Sequence, residues 1–269
     1  MEYKQYPVPK ELKQIVRYFW SYNAFGQSSN KLVVKSFADK YPRLIFQDID
    51  NFEPIISAGS KMPSCYLSGL DTKPTEAFWY ESFSHFGVSF YPNALYKIWG
   101  VNSVDFVDKT PDFFDVEKTI LPLKLKEAKS HEERVLILSN YFFSKIQNKK
   151  IDFFSDFILL KNEIYNTKDL SVLLKEFKIS ERQFQRKFKS AIGITYKNFS
   201  RLSRFEKSLE LISNDKASNF TQIAYDLGFA DQSHLIKNFN EFAGCTPLEF
   251  KKNSHLGNES NSFIYNTNN

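Results

Sequence analysis

The stretch Asn219–Lys252, NFTQIAYDLGFADQSHLIKNFNEFAGCTPLEFKK, decides how this chain is read. Asn219 followed three residues later by Gln222 is a capping-box pattern and predicts a helix start. Ile223, Ala224 and Leu227 give that helix one apolar face, and Gly228 ends it with a residue free to take positive φ. Asp231 is placed to cap a second helix, whose inner face is Leu235, Phe239 and Phe242 at i, i+4 and i+7. A small residue at Ala224 lets the two helices cross closely at a Gly-containing turn. Two helices in that relation form a helix-turn-helix, whose second helix enters the DNA major groove.

The pattern occurs a second time upstream. A shift of 51 residues superposes Phe184 on Leu235, Phe188 on Phe239, Gly193 on Gly244, Thr195 on Thr246 and Phe199 on Phe250. Ser180, with Gln183 in its own capping box, falls on Asp231. A long amphipathic helix from Tyr196 to about Ile212 separates the copies. At ~1.5 Å per residue it spans roughly 25 Å, enough to hold two recognition helices about one turn of DNA apart. Thr195 and Thr246, each at the start of a following helix, read as caps.

Helical periodicity then selects the residues that face outward. With Phe184 and Phe188 inside, Arg182, Arg186 and Lys189 lie opposite, with Gln185 at the edge. With Leu235 and Phe239 inside, Ser233, Lys237 and Asn240 face out, and Gln232 and His234 sit in the first turn. Arg186 suits bidentate contact to guanine and Gln232 contact to adenine, because their donor and acceptor sets match those base edges. Lys197, Arg201 and Arg204 on the connecting helix are better placed for phosphates.

Two helix-turn-helix units joined by a helix resemble the AraC/XylS family of bacterial transcription regulators. SERQFQRKFKSAIGITYKNF in the first unit and IAYDLGFADQSHLIKNFNEFAGCTPLEF in the second carry the resemblance, over about residues 169–252. It implies DNA contacts at Arg182, Gln185, Arg186, Gln232, Ser233, His234 and Lys237. The segment HFGVSFYPNALYKIWGV resembles the β-rich N-terminal domain of an AraC-like subgroup. Such a domain implies small-molecule sensing or dimerisation, and the whole implies double-stranded DNA and RNA polymerase as partners. The first unit departs from the family pattern in two places. Leu174 stands where a small Ala is usual and Lys178 where Gly is usual, so a wider or strained first turn is expected.

The rest of the chain fits that reading. The net charge is +5 in 269 residues, yet Lys178 to Lys207 hold nine basic residues against two acidic ones, which concentrates attraction for phosphate in the first unit. Short β-rich runs separated by turn residues fill Leu32–Tyr91, the pattern of a small barrel or sandwich. Pro9–Asn23 reads as a helix, Phe106–Leu123 as irregular, and Glu132–Gln147 and Asp152–Tyr165 as two further helices. The expected organisation is α+β. A β-rich N-terminal domain spans 1–128, a helical connector 129–167, the double helix-turn-helix 168–252 and a disordered tail 253–269.

Trp20, Phe46, Trp79, Tyr80 and Phe90 are candidates to line an effector site in the N-terminal domain. No apolar run reaches the ~20 residues of a membrane span, and two Cys with no disulfide framework fit a reducing cytoplasm. His85 is the one His before residue 131, too few for a metal site, and no catalytic motif or cofactor-binding loop is present. A non-specific architectural DNA binder, using the basic first unit alone, is the alternative to a sequence-specific regulator.

Overall fold

The computed structural model describes residues 1–26, 31–147, 170–213, 219–253 and 263–266. Its N-terminal part is built on two antiparallel five-stranded sheets. The first holds β1 (Glu2–Tyr6), β2 (Val16–Phe25), β9 (Ser82–Phe90), β4 (Arg43–Gln47) and β7 (Cys65–Ser68), in that order across the sheet. The second runs β10 (Phe263–Asn266), β3 (Lys31–Ser36), β8 (Thr75–Tyr80), β5 (Ile56–Ser57) and β6 (Ser60–Lys61). Among the described residues they form a sandwich of two open sheets, not a closed barrel.

Side chains alternate with the period of two that strands impose, and this gives the first sheet two buried faces. Trp20, Tyr22, Ala24, Ile45, Tyr66 and Phe83 point toward the second sheet, where Val34 and Trp79 meet them. Phe19, Leu44, Phe46, Leu67, Phe86, Val88 and Phe90 point the other way. Helices cover that outer face: α1 (Ala94–Trp99), α2 (Phe113–Val116), α3 (Leu121–Glu127) and α4 (His131–Ile146), with a 3-10 turn at Ser103–Phe106. Phe90, Trp99, Phe113 and Phe142 interlock edge to face there.

The helix expected at Pro9–Asn23 is instead a single 3-10 turn at Lys10–Leu12 followed by β2. The alternation of Phe19 to one core and Trp20 to the other is what a strand needs between two apolar layers. Phe106–Leu123, expected to be irregular, contains α2 and the start of α3. The helix expected at Asp152–Tyr165 lies outside the described residues.

The C-terminal part is helical throughout: α5 (Leu170–Phe177), α6 (Glu181–Ile192), α7 (Tyr196–Ser213), α8 (Phe220–Asp226), α9 (Gln232–Ala243) and α10 (Pro247–Asn253). One apolar core joins all of them, and Phe37, Ala38 and Leu70 of the N-terminal domain are part of it. The tail also crosses between domains. Residues 263–266, within the segment expected to be disordered, form β10 and pair with β3 in the register Phe263 to Ser36 through Asn266 to Val33. The backbone of β3 on that side would otherwise be an open sheet edge, which favours addition of a strand.

Candidate nucleic-acid interface

The two helix-turn-helix units are α5–α6 and α8–α9. In the second, the Asn219 side chain accepts from Thr221 N at 2.8 Å and so caps α8. Gln222 does not close the expected box; its amide donates to Asp226 at 2.7 Å. Gly228 turns the chain at φ +70°, and Asp231 caps α9 by accepting from His234 N at 2.7 Å. In the first unit Ser180 and Gln183 form the full reciprocal box at the start of α6. Lys178 occupies the left-handed region at φ +51°, in the place Gly228 takes in the second unit. The expected strain is therefore real, and it is carried by a side chain with a Cβ. Thr195 and Thr246 cap the helices that follow them, accepting from Asn198 N and Glu249 N.

The inner faces match the periodicity. Phe184, Phe188, Leu235 and Phe239 are at most 1% exposed. Phe188 stacks against Phe184 and meets Tyr196 and Phe199 edge on. Phe239 packs on Phe205 and Phe250. Outward, Arg182, Arg186 and Lys189 on α6 are exposed, with Gln185 half-buried. On α9, Ser233, His234 and Lys237 are exposed and Gln232 is half-buried. Arg186 and Lys237 are related by the same 51-residue shift that relates the buried faces, as are Arg182 and Ser233. The repeat thus presents equivalent outer positions from both units.

Two of these side chains have local partners that set their orientation. The Thr221 hydroxyl lies 2.8 Å from Gln232 Oε1, so α8 holds the amide at the tip of α9. His234 stands edge-on to Phe229, with Nδ1 accepting from Ala230 N at 3.4 Å.

On α7 the three basic side chains divide. Lys197 is exposed. Arg201 pairs with Glu241 and lies over the Phe242 ring, while Arg204 donates to Gly228 O at 3.0 Å and lies over Phe229. Both arginines, expected to reach for phosphates, tie α7 to the second unit. Burial and the neighbouring Arg201 lower the pKa of Arg204. Sequence periodicity could not reveal this, because Glu241 and Gly228 become neighbours of α7 only in the folded chain.

The five aromatic candidates for an effector site do not converge. Trp20 and Trp79 belong to the layer between the sheets, Phe46 and Phe90 to the layer under the helices, and Tyr80 lies half-buried on β8. His85 is buried against Trp79 and Phe83, and burial pushes its pKa down to about 3. Among the described residues no group of three His, Cys, Asp or Glu could hold a metal ion, and no helix is long and apolar enough to cross a membrane.

Both parts of the chain match known families. A family described as a helix-turn-helix domain matches residues 173–253, and a domain of unknown function (DUF6597) matches residues 4–112. The transcriptional activator CfaD of Escherichia coli is 27% identical over 176 residues, 59% of this chain. The dual transcriptional regulator Rns of Escherichia coli is 25% identical over the same length. The match spans 65% of each of these relatives. The structure of ToxT from Vibrio cholerae aligns at a TM-score of 0.45 and 13% identity, covering 87% of this chain and 98% of that one. With two helix-turn-helix units on one connecting helix, and with relatives named as transcription regulators, the C-terminal part of the chain is similar to regulators of the AraC/XylS type.

Proposed function

We propose that this protein is a sequence-specific DNA-binding regulator of transcription whose α6 and α9 enter two adjacent major-groove segments of one duplex. The observation that carries this reading is the pair of repeat-equivalent exposed residues Arg186 and Lys237, each opposite a fully buried Phe on its helix. Arg182, Gln185, Gln232, Ser233 and His234 supply further base contacts, and Lys189 and Lys197 supply phosphate contacts. Arg201 and Arg204 retain N–H groups beyond those used inside the domain and can add to the phosphate set.

The relatives are named as transcription regulators, and the same activity for this chain is a DNA-binding one rather than an enzymatic one. RNA polymerase is the partner through which it would act, in the cytoplasm. Control would come from a small-molecule effector or from homodimerisation through the N-terminal domain. The inter-sheet pair Trp20 and Trp79 comprises the first side chains to test for an effector role.

The basic first unit favours a second reading, an architectural binder without sequence choice. Selection of genomic fragments by the full chain, followed by competition with random duplex, separates the two. A sequence-specific regulator holds its selected fragment against competitor by about 10³-fold or more. Equal loss to both duplexes would leave only the architectural role.

A further inference from the structure

The N-terminal domain grips both helix-turn-helix units at the same place. On the first unit, Ser103 Oγ donates to Ala191 O at 2.8 Å, at the C-terminal end of α6. On the second, Ala38 N donates to Phe242 O at 2.9 Å, at the C-terminal end of α9. Ala191 and Phe242 are related by the 51-residue shift. The following glycines are matched too. A Cβ on Gly193 would come within 2.7 Å of Val107 Cγ2, and one on Gly244 within 3.2 Å of Pro74 Cγ. One domain therefore abuts two equivalent helix ends.

Between these two seats the domain also holds the rod. Phe37 enters the C-terminal core and meets Phe205 and Phe250 edge on. Lys40 Nζ lies 2.7 Å from Glu206 and 3.3 Å from Ser203 Oγ, both on α7. Burial alone would lower the Lys40 pKa, but Glu206 and Tyr41 outweigh it. Arg17 stacks over the Tyr41 ring at 3.3 Å and backs the pair from β2. These groups sit just beyond β3, the strand that β10 flanks from the other end of the chain. The reading tips, Arg182 and Arg186 on α6 and Gln232 to Lys237 on α9, lie away from the seated ends.

We propose that the N-terminal domain is a common seat for both reading units, fixing the separation and angle of α6 and α9 through their equivalent C-terminal ends and the rod between. The connecting helix alone does not set that geometry. The contacts leave the outward faces open, so seating prepares the two helices for DNA rather than blocking them. The consequence for DNA rests on the two-helix reading above; the geometric claim does not.

The test uses the full chain without DNA first. Lys189→Cys and Asn240→Cys, at repeat-equivalent exposed positions, take spin labels in a Cys245→Ser background, and pulsed electron paramagnetic resonance reads their separation. A single narrow distribution is expected. Phe37→Ala, which removes the ring from the core, should broaden or shift it, and Ser103→Ala with Glu206→Gln should do so to a smaller extent. If Phe37→Ala loses the near-ultraviolet circular dichroism of the folded chain, the milder double variant decides. A folded variant that keeps the original narrow distribution overturns the proposal.

The second arm measures affinity for a selected duplex with one base pair inserted between the two contacted segments. The unsubstituted chain should lose about tenfold, since one pair rotates one groove by roughly a tenth of a turn against the other. The variants should lose less than about threefold. If the label distances respond while the unsubstituted chain ignores the insertion, the seat stands and simultaneous two-helix reading fails.

Discussion

The two helix-turn-helix units share one design and differ in how tightly it closes. In the second, Gly228 N and Phe229 N bond back into α8 at 3.0 and 2.8 Å, over a helix that presents Ala224 to its neighbour. In the first, the corresponding bonds from Lys178 N and Ile179 N measure 3.3 and 3.4 Å, over a helix that presents Leu174. A larger crossing residue and a Cβ at a left-handed turn both act to loosen that corner. Charge runs the opposite way. The looser unit is strongly basic, and the tighter one carries Lys237 with Gln232, Ser233 and His234 at its tip. On the reading proposed above, the first unit supplies more of the attraction for phosphate.

Their seats on the N-terminal domain differ as well. The first is neutral, a serine hydroxyl and a valine. The second adjoins a charge cluster: buried Arg43 pairs with buried Asp39, half-buried Asp71 bridges to Asp39 through the backbone, and half-buried Lys40 meets Glu206. Burial pushes the Asp71 pKa up to about 7, with Arg43 opposing it. Burial likewise raises Glu206 against the pull of Lys40.

Removal of a core ring should test first whether the units stand or fall together. Phe188→Ala and Phe239→Ala each leave a large cavity and should cost about 3–5 kcal/mol in urea unfolding. Since both rings share one core, a single transition is expected for each; two separate transitions would show the units to be independent. In binding, Arg186→Ala should cost about 1–3 kcal/mol and relax discrimination at one base pair. Lys237→Ala should cost less and leave the salt slope nearly as it was. Lys189→Ala, at a phosphate contact of the first unit, should reduce the salt slope by about one, and slopes alike for Lys189→Ala and Lys237→Ala would erase the division of labour between the units.

The charged seat should respond to pH where the neutral one does not. A carboxyl whose folded pKa is raised binds its proton more tightly when folded. Its stabilisation is then greatest at low pH and is lost as pH rises from about 4 to about 7. For Asp71, facing Arg43, Asp39, Asp108 and Lys73, the loss should be about 1–2 kcal/mol once its partial exposure is allowed for. Asp71→Asn should flatten this limb in denaturant titrations at fixed pH values, and an unchanged limb would assign it elsewhere. The smallest effect is at the loose turn. Lys178→Gly should stabilise the chain by up to about 1 kcal/mol, while Gly228→Lys should destabilise it by at least as much. Equal and opposite shifts in melting temperature would tie the difference between units to backbone strain.

The C-terminal elements were legible because their signals are local. Caps at Ser180, Asn219 and Asp231 and the i, i+4 spacing of Phe184 with Phe188 act within a few residues of themselves. Pro9–Asn23 misled because an aromatic run such as YFW carries no period of its own. Only placement between two apolar layers makes β2 a strand there. Arg201 and Arg204 misled for a related reason: an arginine on an outward face has no visible partner until the next unit folds against it.

By itself the sequence determined the doubled motif, its outward residues and the strained turn at Lys178, since each depends on dihedral preference and periodicity along one segment. Tertiary structure alone decided that Phe37 and Ala38 complete the core of the C-terminal domain, that β10 returns to β3, and that one domain holds the ends of both recognition helices. Those contacts join residues tens to hundreds of positions apart. No local preference encodes them; they follow from which apolar surfaces remain uncovered once each element has formed.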